Sequence, residues 1–179
     1  MEELLYSARD IAEIINKYDV KLSQSIEMLN AFWNNGLITY LQPEYRDNKM
    51  HFVKEVSYWC GYFSMPDKFS DEAPLLQKDF LACGIDAQTE NLLNNEYENL
   101  EPFFKELYLR LRFIEKKGYV VLKLRTLLHQ YGYQRRTQGL VAYFKECLYF
   151  YHIYTYLRAG EKCDIAHINI DDMITFRVI

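Results

Sequence analysis

The sequence predicts a mainly α chain with small β-wings, arranged as two lobes joined by a helical middle segment. Apolar residues recur at helical spacing in several stretches, as at Ile11, Ile14, Ile15 and Tyr18. Two runs of β-branched and aromatic residues, 37–41 and 153–157, each follow a helical stretch and precede a polar tip, as hairpins do. Gly and Pro are scarce, 7 and 4 of 179 residues, which favours long regular elements over loops. With 50% hydrophobic and 16% aromatic residues the chain is too apolar to remain disordered. The expected divisions are an N-terminal lobe at 1–66, a helical connector at 67–117 and a C-terminal lobe at 118–179.

In the first lobe, Ser7 is a helix N-cap candidate with Asp10 three residues on, the spacing of a capping box. The pattern breaks over 17–21. A second helix is expected over 22–34, with Leu22, Ile26, Leu29, Phe32 and Trp33 inward and Gly36 ending it in a left-handed conformation. A strand at 37–41, a tip at 43–49 and a return strand through His51, Phe52, Val53, Val56 and Tyr58 complete the lobe. Helix, turn, helix and ribbon follow one another as in a winged helix-turn-helix. The spacing from Ile11-Ala12 to Gly36-Leu37-Ile38 resembles the "IA…GLI" rhythm of bacterial winged-helix regulators. The second helix opens on Lys21, Ser23, Gln24 and Ser25, but Glu13, Asp19 and Glu27 lie close by. Protein contact or dimerisation is therefore favoured over DNA binding for this lobe.

In the middle, an aromatic cluster at 59–66 closes the first lobe and 67–74 is the linker candidate. A short helix is expected over 75–83. Leu93, Tyr97, Leu100, Phe104, Leu107, Leu111 and Ile114 then alternate in steps of four and three, a heptad seam interrupted at Pro102. Such a seam packs one helix along the lobes or pairs two chains in a homodimer. Leu93, Tyr97, Leu100, Phe104 and Leu107 are its candidate interaction residues.

The C-terminal lobe is the most informative. A leucine-rich helix through Leu122, Leu124, Leu127 and Leu128 ends near Tyr131-Gly132. A long helix follows from Thr137 to about Tyr151, with Leu140, Val141, Phe144 and Leu148 inward. A strand at 153–157, a tip at 158–162 and a return over 168–178 end the lobe. The residues Leu124-Arg125, Leu127-Leu128, Tyr131-Gly132, Arg135-Arg136, Leu140-Val141, Thr155 and Ile170-Asp171 with Ile174 and Phe176 resemble a small winged-helix module of bacterial regulatory and defence-associated proteins. The resemblance spans about 55 residues. It implies a fold first and a partner only loosely.

Charge sharpens the expectation. The net charge of −4 conceals an acidic first part and a basic second part. Between 105 and 145 ten Lys and Arg residues face only Glu106 and Glu115. Such asymmetry points to a polyanion or to an acidic partner. Arg135 and Arg136 stand at the start of the expected reader helix, where guanidinium and backbone N–H groups converge on a phosphate. Gln134, Gln138 and Lys145 share that side, and Lys116, Lys117, Lys123 and Arg125 are placed to clamp flanking phosphates. Arg136 is alternatively expected to lock the wing by pairing with Asp171 or Asp172.

Several classes are expected to be absent. No CxxC or zinc-like His spacing accompanies Cys60, Cys83, Cys147 and Cys163, so neither metal nor cofactor is expected and the thiols read as reduced. There is no phosphate-binding glycine loop, no GxSxG and no legible acid–base pair, so no enzymatic activity is expected. The N-terminus lacks a basic signal-peptide region, and no apolar run approaches a membrane span, which predicts a cytoplasmic protein without membrane contact. The expected function is non-enzymatic binding of double-stranded DNA in regulation, through the C-terminal lobe. The alternative is a protein–protein adaptor or subunit, including a bacterial or phage accessory or inhibitor that presents an acidic, DNA-like face.

Overall fold

The computed structural model describes residues 2–65, 97, 100–158 and 160–178. The chain divides into two compact units, Leu5–Glu98 and Met1–Leu4 with Asn99–Ile179. The fold is mainly helical with a small antiparallel sheet, in agreement with the expected class.

The described part of the N-terminal unit is built from α1 (Ala8–Lys17), α2 (Leu22–Asn34), α3 (Pro43–Arg46) and α4 (Lys49–Ser64). The capping box at its start is present. The Asp10 N–H donates to Ser7 Oγ at 3.1 Å, and the Ser7 N–H donates back to Asp10 Oδ2 at 2.8 Å. Helix α1 packs on α4 through buried Ile11, Ala12, Phe52 and Val56, and the Arg9 guanidinium lies 5.3 Å from the centroid of the Trp59 ring. Phe32 sits between Tyr6 and Phe52, edge-to-face with both at 5.8 and 6.0 Å.

The expected ribbon of this unit is not there. Leu37–Tyr40 is a single 3-10 turn after Gly36, whose φ of 70° is the predicted left-handed conformation. Residues 51–58 lie inside α4. The reason is local punctuation. Pro43 opens α3, and the Asn48 side chain accepts the His51 N–H at 3.0 Å, capping a new helix where a hairpin return was expected. Phe52 and Val56, four apart, then face the core together. Helix α2 spans the expected residues but is turned about its axis. Ser25, Met28, Ala31 and Phe32 are buried, whereas Leu22 is 77% and Ile26 49% exposed. Ser25 tolerates burial because its hydroxyl reaches the Lys21 carbonyl at 3.2 Å.

The C-terminal unit runs α5 (Glu101–Leu109), a π turn (Arg110–Ile114), β1 (Val120–Lys123), α6 (Leu124–Gln130), α7 (Gln138–Phe150), β2 (Ile153–Tyr156) and β3 (Met173–Val178). The strands form an antiparallel sheet in the order β1-β3-β2, with Phe176 opposite Val120 on one side and Thr155 on the other. The 3-10 turn Glu2–Leu4 packs on α5, and the Tyr151 hydroxyl donates to the Leu4 carbonyl. The core is aromatic. Phe104 meets Phe144 at 4.7 Å, Phe103 meets Phe176 at 6.1 Å, and Tyr108 stacks on Tyr151 at 5.1 Å.

Two sequence expectations change here. Leu122 belongs to a strand, because β-branched Val120 and Val121 pair with β3 and the helix starts only at Leu124. Loop carbonyls meet two of the first N–H groups of α6, with Leu124 donating to Asp172 O at 3.2 Å and Arg125 to Ile170 O at 2.7 Å. The compact unit also begins at Asn99, so α5 belongs to it although the sequence division left those residues in the connector. Leu100, Phe104 and Leu107 are fully buried in this core, and Tyr97 is half-buried. The three are not an exposed seam for a second chain. Leu93, the 67–74 linker and the 75–83 helix lie outside the described residues.

Candidate nucleic-acid interface

Helix α7 is amphipathic for a simple reason of spacing. Leu140, Phe144, Cys147 and Leu148 repeat at steps of four, three and one and are buried. The opposite face carries exposed Gln138, Gly139, Ala142, Lys145, Glu146 and Tyr149. Gly139 and Ala142 keep its first turns low in relief. Thr137 caps the helix, its Oγ1 accepting the Leu140 N–H at 3.2 Å. The turn from α6 bends at Gly132, with φ 84°, and leaves Gln134 and Arg135 exposed.

The loop 157–172 between β2 and β3 faces this helix across an open cleft of about 440 Å³ lined in part by Arg136, Gln138, Ala142, Lys145 and His167. Ile165 and Ile168 anchor the loop in the core. Cations hold it from outside. Arg136 Nη1 donates to the carbonyls of Ile165 and Ile168 at 2.7 and 2.6 Å. Lys145 Nζ is 2.8 Å from Asp164, which His167 also approaches at 3.3 Å. Arg125 grips Asp171 in bidentate fashion at 2.9 and 2.7 Å, and Lys123 adds a contact at 2.9 Å.

These contacts set the charge state of the loop. The Lys145 ammonium and then the Ala166 N–H hold the Asp164 carboxyl down to about 2. The Arg125 and Lys123 hydrogen bonds hold Asp171 well below the usual carboxylate range. Both aspartates therefore stay ionised throughout the neutral range.

The nine expected DNA-contact residues sort into two sets. Lys123, Arg125, Arg136 and Lys145 are engaged by the loop. Lys116, Lys117, Gln134, Arg135 and Gln138 are exposed, and Lys116, Lys117 and Arg135 have no carboxylate partner among the described residues. Arg136 does lock the loop, but through backbone carbonyls rather than Asp171 or Asp172. Asp164 and His167 were not singled out from sequence, nor were Arg158 and Lys162 at the exposed loop tip. The legible signals were the Asp-x-Ala spacing of an Asx turn, closed by the Ala166 N–H on Asp164 Oδ1 at 2.9 Å, and the turn glycine Gly160, with φ 86°.

No protein-family model, curated protein or solved structure matches the chain. Among the described residues no group of three or more His, Cys, Asp or Glu is placed to hold a metal, and no helix is long and apolar enough to cross a membrane. Burial pushes the Cys147 thiol up to about 12 and raises Cys60 and Cys163 as well, which leaves all three thiols protonated at neutral pH. Tyr143 is raised by burial and by its hydrogen bond to Glu101 at 2.7 Å. None of these groups is prepared as a nucleophile.

Proposed function

We propose that the C-terminal unit is a winged helix-turn-helix that binds double-stranded DNA in a regulatory role. In this reading α7 lies in the major groove and the 157–172 loop is the wing. The observation that carries it is the junction before α7. A capped, low-relief helix begins there with Gln134, Arg135 and Gln138 exposed together, in a unit whose strands follow the order β1-β3-β2. Gln138, Ala142 and Lys145 succeed one another along the exposed face at steps of four and three, the spacing of side chains that face one groove. Lys116 and Lys117 supply phosphate contacts.

The test is duplex affinity as a function of salt. Wild type is expected to lose affinity steeply, with a log–log slope of about 0.9 for each phosphate neutralised. Arg135→Ala is expected to cost about 1–2 kcal/mol of binding and to flatten the slope by about one, with melting temperature unchanged. Absence of duplex binding at low salt overturns the reading.

A specific feature of the N-terminal unit favours a second role beside this one. Leu22 and Ile26, four apart on one face of α2, are large apolar residues left exposed in an acidic unit with few cations. That surface suits a protein contact, either an adaptor partner or a second copy of the chain. A stable protein complex without any duplex shift would make this the main function.

A further inference from the structure

Four of the cations on the proposed DNA face are already occupied, and two carboxylates hold three of them. Asp171 takes both Lys123 and Arg125, and Asp164 takes Lys145. A carboxylate bridging a bidentate arginine and a lysine presents the same groups with the geometry that a phosphate oxygen pair would use. We propose that Asp164 and Asp171 are tethered competitors of phosphate, which keep Lys123, Arg125 and Lys145 latent and limit the affinity of the C-terminal unit for duplex DNA. This rests on the DNA-binding reading above.

Three observations support it. All five side chains of these two clusters are between about two-fifths and three-fifths exposed, so an incoming phosphate has direct access to the cations. Exposed pairs of this kind are individually weak, so exchanging one anion for another is a near-balanced step that duplex binding can drive. The loop does not depend on the carboxylates alone. Arg136 holds the carbonyls of Ile165 and Ile168, and the Cys163 carbonyl accepts from Thr155 Oγ1 at 2.9 Å. Releasing Asp164 or Asp171 therefore leaves the wing anchored while Lys123, Arg125 and Lys145 turn outward.

The substitution Asp→Asn isolates the charge. Asp164→Asn keeps an acceptor for the Ala166 N–H, and in Asp171→Asn the backbone N–H of residue 171 still donates to Asn169 Oδ1, a contact of 3.0 Å. The experiment is fluorescence anisotropy of the full chain with a duplex across a salt series. It includes wild type, Asp171→Asn, Asp164→Asn and, as a matched charge control in the same loop, Glu161→Gln. Asp171→Asn is expected to bind about three- to tenfold more tightly at low salt, with a slope steeper by up to about 1.8, or 0.9 for each freed cation. Asp164→Asn is expected to give about half that change in slope. The gain of Asp171→Asn should vanish when Lys123→Ala and Arg125→Ala are added.

Unchanged or weaker binding by a folded Asp171→Asn overturns the proposal, as does a gain no larger than that of Glu161→Gln. Should Asp171→Asn fail to fold, the Asp164→Asn arm decides by the same criteria. If wild type binds and neither variant gains, the competitor idea alone fails. If wild type and every variant leave the duplex free, the DNA-binding reading fails with it.

Discussion

Arg135 and Arg136 are adjacent and chemically identical, yet the fold gives them different work. Arg135 stays in solvent, while the Arg136 guanidinium is drawn under the 157–172 loop by two carbonyls that would otherwise lack a strong donor. Arg136→Ala is therefore expected to destabilise the C-terminal unit by about 1–3 kcal/mol, measured by urea unfolding, and any loss of DNA binding would follow from the loosened wing. Arg135→Ala should leave stability within about 0.5 kcal/mol of wild type. This difference was not legible in the sequence. Nothing in Arg135-Arg136 says which side chain meets a carbonyl thirty residues away. Ser7 and Asp10 were legible, because a capping box closes within four residues and needs no tertiary partner.

At the scale of elements, the same locality separates what could be read from what could not. The bounds of α2 and the left-handed Gly36 follow from punctuation and periodicity, and the structure places both as expected. Ser7→Ala should cost the N-terminal unit about 1 kcal/mol through loss of the α1 cap, visible as a lower thermal midpoint. The 51–58 segment is the instructive failure. His51, Phe52, Val53, Val56 and Tyr58 satisfy a strand's composition, but intrinsic preferences differ by only tenths of a kcal/mol per residue. A cap at Asn48 and burial of Phe52 and Val56 on one helical face outweigh them. The rotation of α2 has a similar origin. Leu22 and Ile26 are more apolar than Ser25, but burying Ser25, Met28, Ala31 and Phe32 brings the helix close to its neighbours and leaves no polar atom unsatisfied.

For the whole molecule, charge is the quantity that composition describes worst. The net charge of −4 averages an acidic N-terminal unit with a basic C-terminal one, and the structure subdivides the latter again. Four of its seven expected contact cations face carboxylates or carbonyls of the 157–172 loop. This arrangement has a pH signature. Asp164 and Asp171 are held below their ordinary value of 3.8, so they stabilise the folded state above about pH 4 and lose that contribution as pH falls toward 2. Thermal midpoints of wild type should therefore drop more steeply between pH 5 and about 2 than those of an Asp164→Asn, Asp171→Asn double variant, the two curves running parallel around neutrality and approaching each other in acid. The sequence by itself determined the helical class, the Ser7 cap, the turn glycines and the concentration of cations between 105 and 145, because the first three depend on neighbours within about one helical turn and the last on composition alone. Only the tertiary structure decided that α5 belongs to the C-terminal core, that β3 lies between β1 and β2, and which cations remain free. Those depend on contacts between residues tens of positions apart, whose energies propensity and spacing do not encode.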